Sequence, residues 1–247
     1  VCKARAAEFV RDTTIDIVVA VGPWVVEDLL TAGFTRPIVG LMQNDPAAEG
    51  LLNRDQRPVA DNLTVQTRPE KVKQDFAAMI DLYRPKTIGV LAFNSGIRDS
   101  AFFEKCWQAG KALGVKVVWA QAYNAEGVYA FFKAYSGLEK GFDVLYVSPL
   151  WGMTLPMIEQ FTASAHTEGV PVFTSEGRYI VEKGAAASGA IRTEQSMALF
   201  AAWKTVRIAG GAIPSDLPIE YSEERGFLIN KAAAGIVGQP IAPEILS

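Results

Sequence analysis

Amides, hydroxyls and aromatic rings recur in short loops that each follow an apolar run of the sequence. These candidate ligand-binding residues are Gly22, Pro23, Trp24, Gln43, Asn44, Asn94, Ser95, Tyr123, Pro149, Trp151, Ser175 and Glu176. Amides and hydroxyls donate and accept hydrogen bonds, which suits a small polar ligand. The rings of Trp24, Tyr123 and Trp151 could stack on a flat or apolar ligand, or could instead pack an interface inside the protein. We therefore predict a binding site for a small molecule.

The same sequence offers little for catalysis or for metal binding. It has one histidine, His166, and two cysteines, Cys2 and Cys106. A dense disulfide scaffold and a zinc site rich in Cys and His are therefore excluded. Residues 184–189 are rich in Gly and Ala but lack both the GxGxxG pattern and the phosphate-loop lysine. We predict that the protein is not an enzyme and that it has no catalytic residue, metal ion or cofactor.

Three reactive side chains have plainer structural interpretations. Asp45, which a proline follows, is expected to turn the chain rather than to act as a catalytic carboxylate. His166 lies late in a predicted helix, where a solvated side chain is expected because cations suit a helix C-terminus. Cys106 shares a helical face with Phe102 and Phe103 and is expected in the core.

The charge of the chain argues against a nucleic-acid partner. Its 247 residues include 24 Lys and Arg and 27 Asp and Glu, a formal net charge of −3 at pH 7. Domains that bind nucleic acid normally carry a basic excess or a basic stripe.

Hydrophobic residues make up 49% of the chain, as in packed globular proteins. No apolar run reaches the roughly 18–20 residues of a membrane span.

Short apolar runs rich in β-branched residues alternate with amphipathic segments of helical length. The predicted strands are 16–21, 37–42, 87–93, 115–120, 143–147 and 171–174, and the predicted helices are 69–83, 100–113, 126–138, 154–167, 194–209 and 231–235. Apolar strands without polar alternation are typical of parallel sheets buried on both faces. The order predicts a doubly wound α/β architecture, in which ligands bind beyond the carboxyl ends of the strands.

A loop-like stretch over 45–62 separates two groups of these α/β units. It contains two prolines and many charged residues, which is typical of a crossover or a domain boundary. We therefore predict two parallel-sheet lobes with a ligand cleft between them. The first lobe is predicted to comprise 1–66 and 178–212, and the second to comprise 67–177 and 213–247.

Several short motifs occur in an order that carries a family resemblance. They are a DPxxxGL…P…NxT passage over 45–64, a GG…DLPIE passage over 210–220, an LINKAA segment over 228–233 and a PEIL segment over 243–246. In these segments the sequence resembles ABC-transporter substrate-binding proteins of the tryptophan/tyrosine-binding type, which have the type 1 periplasmic binding fold. That family begins with a further strand–helix–strand unit, so the resemblance implies an N-terminally incomplete first lobe.

The resemblance also implies a function. The two lobes would close by a hinge motion on a small molecule, an aromatic or other hydrophobic amino acid, without any chemical step. The closed complex would dock on the membrane permease of an ABC transporter, in the periplasm or another extracytoplasmic location. An alternative with the same fold is the ligand-sensing domain of a regulator or receptor.

Overall fold

The structure, a computed structural model, describes residues 2–41, 46–47, 49–67, 70–94, 99–123, 141–147, 155–175, 177–190, 193–220 and 225–236. The chain divides into two compact units. Unit 1 comprises Val1–Pro69 and Glu194–Ser222, and unit 2 comprises Glu70–Thr193 and Glu223–Ser247. Each unit is therefore assembled from two separate stretches of sequence.

Helices and strands are interspersed along the described chain. In order they are α1 (Cys2–Arg11), β1 (Val18–Val21), α2 (Pro23–Thr31), β2 (Ile38–Leu41), β3 (Leu63–Thr64), α3 (Lys71–Tyr83), β4 (Thr87–Asn94), α4 (Asp99–Leu113), β5 (Lys116–Tyr123), β6 (Val144–Val147), α5 (Leu155–Thr167), β7 (Val172–Thr174), α6 (Arg178–Glu182), β8 (Ala187–Ala190), α7 (Thr193–Ala209), β9 (Arg225–Ile229) and α8 (Lys231–Ile236). Every predicted strand contains or overlaps one of these strands. The predicted helix over 126–138 lies outside the described residues. Within the described residues, no helix is both long enough and apolar enough to cross a membrane.

Unit 1 is built on a three-stranded parallel sheet with the order β1-β2-β3. One face of the sheet packs Ile38 and Leu63 against Leu29 of α2. The other face packs Val39 and Leu41 of β2 in a cluster with Ala201 and Ile208 of α7. Since helices cover both faces of this parallel sheet, the predicted doubly wound arrangement is confirmed for unit 1.

Unit 2 is built on a six-stranded sheet with the order β5-β4-β6-β7-β8-β9. All neighbouring strands are parallel except β9, which pairs antiparallel with β8. On one face, Ile88 and Tyr146 pack against Phe76 of α3. On the other face, Leu145 packs against Phe161 of α5. Unit 2 is therefore also doubly wound.

Three segments, 67–69, 178–193 and 213–222, lie in a different unit from the one predicted. Residues 178–193 were expected in the first lobe but belong to unit 2, because β8 pairs with both β7 and β9. Residues 213–222 belong to unit 1, where the Thr67 N–H donates to the Ile219 carbonyl at 2.9 Å. The sequence of β8, ASGA, has low β propensity, and this is why the strand and the boundary beside it were not predicted.

Candidate functional site

The carboxyl edge of the unit 2 sheet brings together three predicted ligand-binding residues. Asn94 and Tyr123 are the last residues of β4 and β5, and they are partners in the parallel register of these two strands. Ser175 directly follows β7 and is 6% exposed. Its N–H donates to the carbonyl of Val147, the last residue of β6, at 3.4 Å. The sheet thus places Asn94, Tyr123 and Ser175 on one edge, where ligands bind in open α/β sheets.

A buried polar cluster lies directly behind Ser175. The hydroxyl of Tyr146, on β6, donates to Asp75 Oδ2 on α3 at 2.8 Å. Asp75 is 1% exposed and forms an ion pair with Lys71, one turn earlier in the same helix. The Ser175 side chain lies close to the Tyr146 hydroxyl. Burial, and then the nearby Asp75 carboxylate, raise the pKa of Tyr146 well above its ordinary value, so this hydroxyl keeps its proton at physiological pH.

Aromatic rings enclose the Tyr146 side chain and exclude water from this cluster. The Phe76 ring meets it edge-on, with 5.4 Å between ring centroids. The Phe102 and Phe173 rings lie at 6.4 and 6.3 Å. Hydrogen bonds strengthen where the local dielectric is low, and an unpaired polar group there is costly. The Tyr146–Asp75 contact is therefore tightly constrained in geometry.

The sequence prediction missed this cluster, although a signal for it was present. Asp75 falls on the apolar stripe that Val72, Phe76 and Met79 form on α3, where a carboxylate is unexpected. A charged residue on a buried helix face has to find partners inside the protein. The partner Tyr146 lies 71 residues away in sequence, so no local pattern could identify it.

The corresponding edge of unit 1 holds Gly22, Pro23 and Trp24. Gly22 ends the turn from β1 into α2 with a φ of +105°, a conformation that strongly favours glycine. Its N–H donates to the Leu41 carbonyl at the end of β2 at 3.1 Å. Pro23 begins α2, and Trp24 in its first turn is 43% exposed. A large ring is therefore presented where β1 ends.

A buried lysine, which the sequence prediction also missed, links α7 to β3 in unit 1. Lys204 is 0% exposed, and its Nζ donates to Thr64 Oγ1 at 2.9 Å and to the Val65 carbonyl at 2.6 Å. The same Nζ lies 4.5 Å from the centroid of the Phe200 ring. Among the described residues no carboxylate forms an ion pair with it. Burial lowers the pKa of Lys204 to about 7.

Half of the predicted site cannot be placed from the structure. Gln43, Asn44, Ser95, Pro149, Trp151 and Glu176 lie outside the described residues, and so does Asp45. Their roles, like direct contact of any of the twelve residues with a ligand, stay predictions.

The predictions for the histidine and for one cysteine have opposite outcomes. His166 was expected to be solvated but is buried in α5, so that prediction was wrong. Its buried neighbours Thr162 and Ala165 show that this face of the helix packs inward up to its last turn, and burial lowers the pKa of His166. Cys106 is fully buried, as predicted for a core residue. In the described part of the chain, no cluster of His, Cys, Asp and Glu could hold a metal ion.

Comparison with known proteins identifies the family. A model of the ABC transporter substrate binding proteins matches residues 3–246. The chain belongs to this family. The match confirms the resemblance to ABC transporter substrate-binding proteins that the sequence motifs indicated. No protein of curated function matches it in sequence.

Solved structures similar to this substrate-binding protein have the type 1 periplasmic binding fold. A conserved domain protein from Vibrio cholerae is 24% identical, with a TM-score of 0.81 over 99% of this chain and 80% of that chain. An ABC domain from Streptococcus pneumoniae in complex with L-Trp is 21% identical, with a TM-score of 0.80 over 99% and 81%. A substrate-binding protein with adhesive properties from Clostridium difficile, in a ligand-free, open form, is 22% identical, with a TM-score of 0.72 over 98% and 80%. The predicted fold class is thus confirmed.

Proposed function

We propose that this substrate-binding protein captures an aromatic or other hydrophobic amino acid and delivers it to the membrane permease of an ABC transporter. The observation that carries the proposal is the family match over residues 3–246. Capture takes place outside the cytoplasm, where such proteins meet their solutes. The match to a transport family favours this function over the sensing domain of a regulator.

The amino-acid part of the proposal has three supports. The similar protein from Streptococcus pneumoniae was solved with L-Trp. In unit 1 of this chain, Trp24 is exposed where β1 ends, and an aromatic ring of this kind suits an apolar side chain. In unit 2, Asn94, Tyr123 and Ser175 share an edge, and their residue types can hydrogen-bond an amino acid's polar groups. We propose that these strand-end residues take part in ligand binding.

Thermal unfolding against a panel of L-amino acids tests this proposal. A ligand that binds only the folded protein, present at 100 times its Kd, adds about 2.7 kcal/mol to the free energy of unfolding. For a chain of this size that corresponds to a rise in Tm of about 5–10 °C. We expect L-tryptophan or another large apolar amino acid to produce such a rise and L-aspartate to produce none. A panel in which no amino acid raises the Tm contradicts the proposal.

Hinge closure of the two units is proposed as the binding motion. The similar protein from Clostridium difficile was solved in a ligand-free, open form, which supports a cycle of opening and closing for this chain. Small-angle X-ray scattering of the purified protein should show a smaller radius of gyration once the ligand is saturating. An unchanged radius, with binding established by calorimetry, would mean that capture occurs without closure.

A further inference from the structure

Strand β5 forms one edge of the unit 2 sheet and is long and regular. It has eight residues, Lys116–Tyr123, and all eight pair with β4 without a bulge. Among the described residues, no strand lies on its other side. The other sheet edges in this part of the chain are short or irregular: β1 has four residues, β3 has two, and β9 pairs with β8 through a register shift. Short strands and bulges protect an edge from pairing with another chain, and β5 has neither.

The backbone of β5 presents a row of donors and acceptors on its outer side. The Lys116 N–H donates to the Lys86 carbonyl, just before β4, at 3.0 Å. Successive residues of a strand point their backbone groups to opposite sides, so the even-numbered residues of β5 face β4. The outward row consists of Val117, Trp119, Gln121 and Tyr123. An extended strand from another molecule would pair with this row.

Two exposed tryptophans flank the outward row. Trp119 is 49% exposed, and its ring centroid lies 5.8 Å from that of Phe103 on α4. Trp107, one turn after Phe103 on the same helix, is 45% exposed. A Cβ on Gly110, about one turn further on, would lie 2.3 Å from Val117, so the face of α4 that carries Trp107 is turned toward β5. Aromatic side chains are enriched in surfaces that another protein covers.

The charge of the strand indicates which partner fits this edge. Lys116 is charged, and the seven residues that follow it in β5 are neutral. The row therefore has no charge with which to select an acidic or a basic peptide, and an uncharged strand of high β propensity fits it. The second β5 strand of another copy of this chain is such a strand.

An antiparallel pair of β5 strands also keeps the two lysines apart. With the two-fold axis at residue 120, the outward residues meet each other, 117 with 123 and 119 with 121. Lys116 of one copy then lies about 27 Å along the strand from Lys116 of the other. This separation exceeds the screening length of about 8 Å at physiological ionic strength. Parallel pairing in register would place the two charges side by side.

We propose that the protein forms a two-fold dimer by antiparallel pairing of its β5 strands, which joins two unit 2 sheets into one continuous sheet. The outward N–H groups of each copy donate to the outward carbonyls of the other. The two Trp119 side chains become diagonal neighbours, close enough for their rings to meet. An edge strand flanked by two rings buries less than the roughly 1,600 Å² of a standard interface, so the dimer is weak, with a micromolar Kd. The inference concerns assembly and does not depend on which ligand is bound.

Sedimentation equilibrium at protein concentrations from about 1 to 500 µM tests the dimer. Gln121→Pro removes one outward N–H from each copy but none of the N–H groups that face β4. Its dimer Kd should be about five- to a hundredfold higher than that of the wild type. Trp119→Lys adds two ammonium groups at diagonal positions and should abolish the dimer. Trp203→Lys is the matched control, because Trp203 is 43% exposed on α7 of unit 1, and its Kd should equal that of the wild type.

Disulfide cross-linking tests the register of the two strands. In the proposed pair, residue 120 faces its own counterpart at a Cα distance of about 4.5 Å, which is within the range of a disulfide. Ala120→Cys in a Cys2→Ser background should therefore form a cross-linked dimer in oxidised glutathione. Val118→Cys is the control, because the same register places the two 118 residues about 14 Å apart along the strands, too far for a disulfide.

Three results would overturn the inference. The first is a protein that stays monomeric at about 500 µM, whether or not a synthetic apolar peptide binds to it. The second is a dimer whose Kd neither Gln121→Pro nor Trp119→Lys changes, and the third is cross-linking of Val118→Cys as fast as that of Ala120→Cys. In the last two cases the copies meet at another surface. Circular dichroism establishes that each variant is folded, and cross-linking keeps the dimer testable if a substitution in the outward row prevents folding.

Discussion

The buried lysine of unit 1 makes the stability of the protein depend on pH in a predictable way. Lys204 is fully buried, and its hydrogen-bond partners among the described residues, Thr64 and the Val65 carbonyl, are neutral. Burial lowers its pKa from 10.5 to about 7. Between these two pH values the unfolded chain binds a proton that the folded protein does not, so stability rises with pH. Below pH 7 the full cost of burying the charge is present.

The size of the effect follows from the shift. Stability attributable to Lys204 changes by at most about 1.4 kcal/mol per pH unit. Between pH 6.5 and 9 this amounts to about 2–3 kcal/mol. In Lys204→Met the titrating group is absent, while the lost donors cost about 1–3 kcal/mol at every pH. The free energy of unfolding of the variant minus that of the wild type is therefore expected to be about 2–3 kcal/mol more favourable to the variant at pH 6.5 than at pH 9.

Urea unfolding followed by far-UV circular dichroism, at pH 6.5, 7.5 and 9, measures this difference. Tyr83 and Cys106, whose pKa burial raises, also affect the alkaline limb. Both are present in wild type and variant, so their contributions cancel in the difference. Arg207→Met, an exposed cation on the same helix, is the control and should show no pH-dependent difference. A Lys204→Met difference that stays constant from pH 6.5 to 9 would refute the reasoning.

Two further predictions concern His166 and Gly189 of unit 2. Burial lowers the pKa of His166 below its ordinary 6.5, so the unfolded state binds the proton first and the stability of the fold decreases as the pH drops through 6.5. The Tm of His166→Gln should therefore decrease less than that of the wild type between pH 7 and 5.5. An equal decrease in Tm would contradict this. A Cβ at Gly189 would lie 3.1 Å from Ala78 Cβ and 3.3 Å from Phe173 Cζ, so Gly189→Ala should cost about 1–3 kcal/mol in urea unfolding. Gly210→Ala, where the same atom meets only ordinary contacts, should cost far less, and equal costs would contradict the overpacking argument.

Local sequence patterns predicted those parts of the fold that depend on local apolar periodicity. Strands such as β4 and β6 are continuous apolar runs, and a run of this kind is characteristic of a buried parallel strand whatever its neighbours. The strand β3 has two residues, and β8 consists of Ala, Ser and Gly. Both owe their existence to pairing with β2, β7 and β9. Such pairing is decided by tertiary packing, which single-sequence propensity does not contain.

The site divides along the same line, and the division indicates where to look in related chains. The positions of residues at or just after the ends of strands, such as Asn94 and Ser175, are predictable because a parallel sheet collects its carboxyl ends at one edge. Asp75 and Lys204 are not predictable in this way, since their partners are 71 and 140 residues distant. Each of them is nevertheless a charged residue on the buried face of an amphipathic helix. Backbone carbonyls and side chains at strand ends are the polar partners that a helix packed on a sheet can reach: Lys204 meets the Val65 carbonyl just beyond β3, and Asp75 meets Tyr146 beside Ser175. A charge that interrupts an apolar helical stripe therefore predicts a buried polar contact near the carboxyl edge of the sheet, even when its partner cannot be named from the sequence.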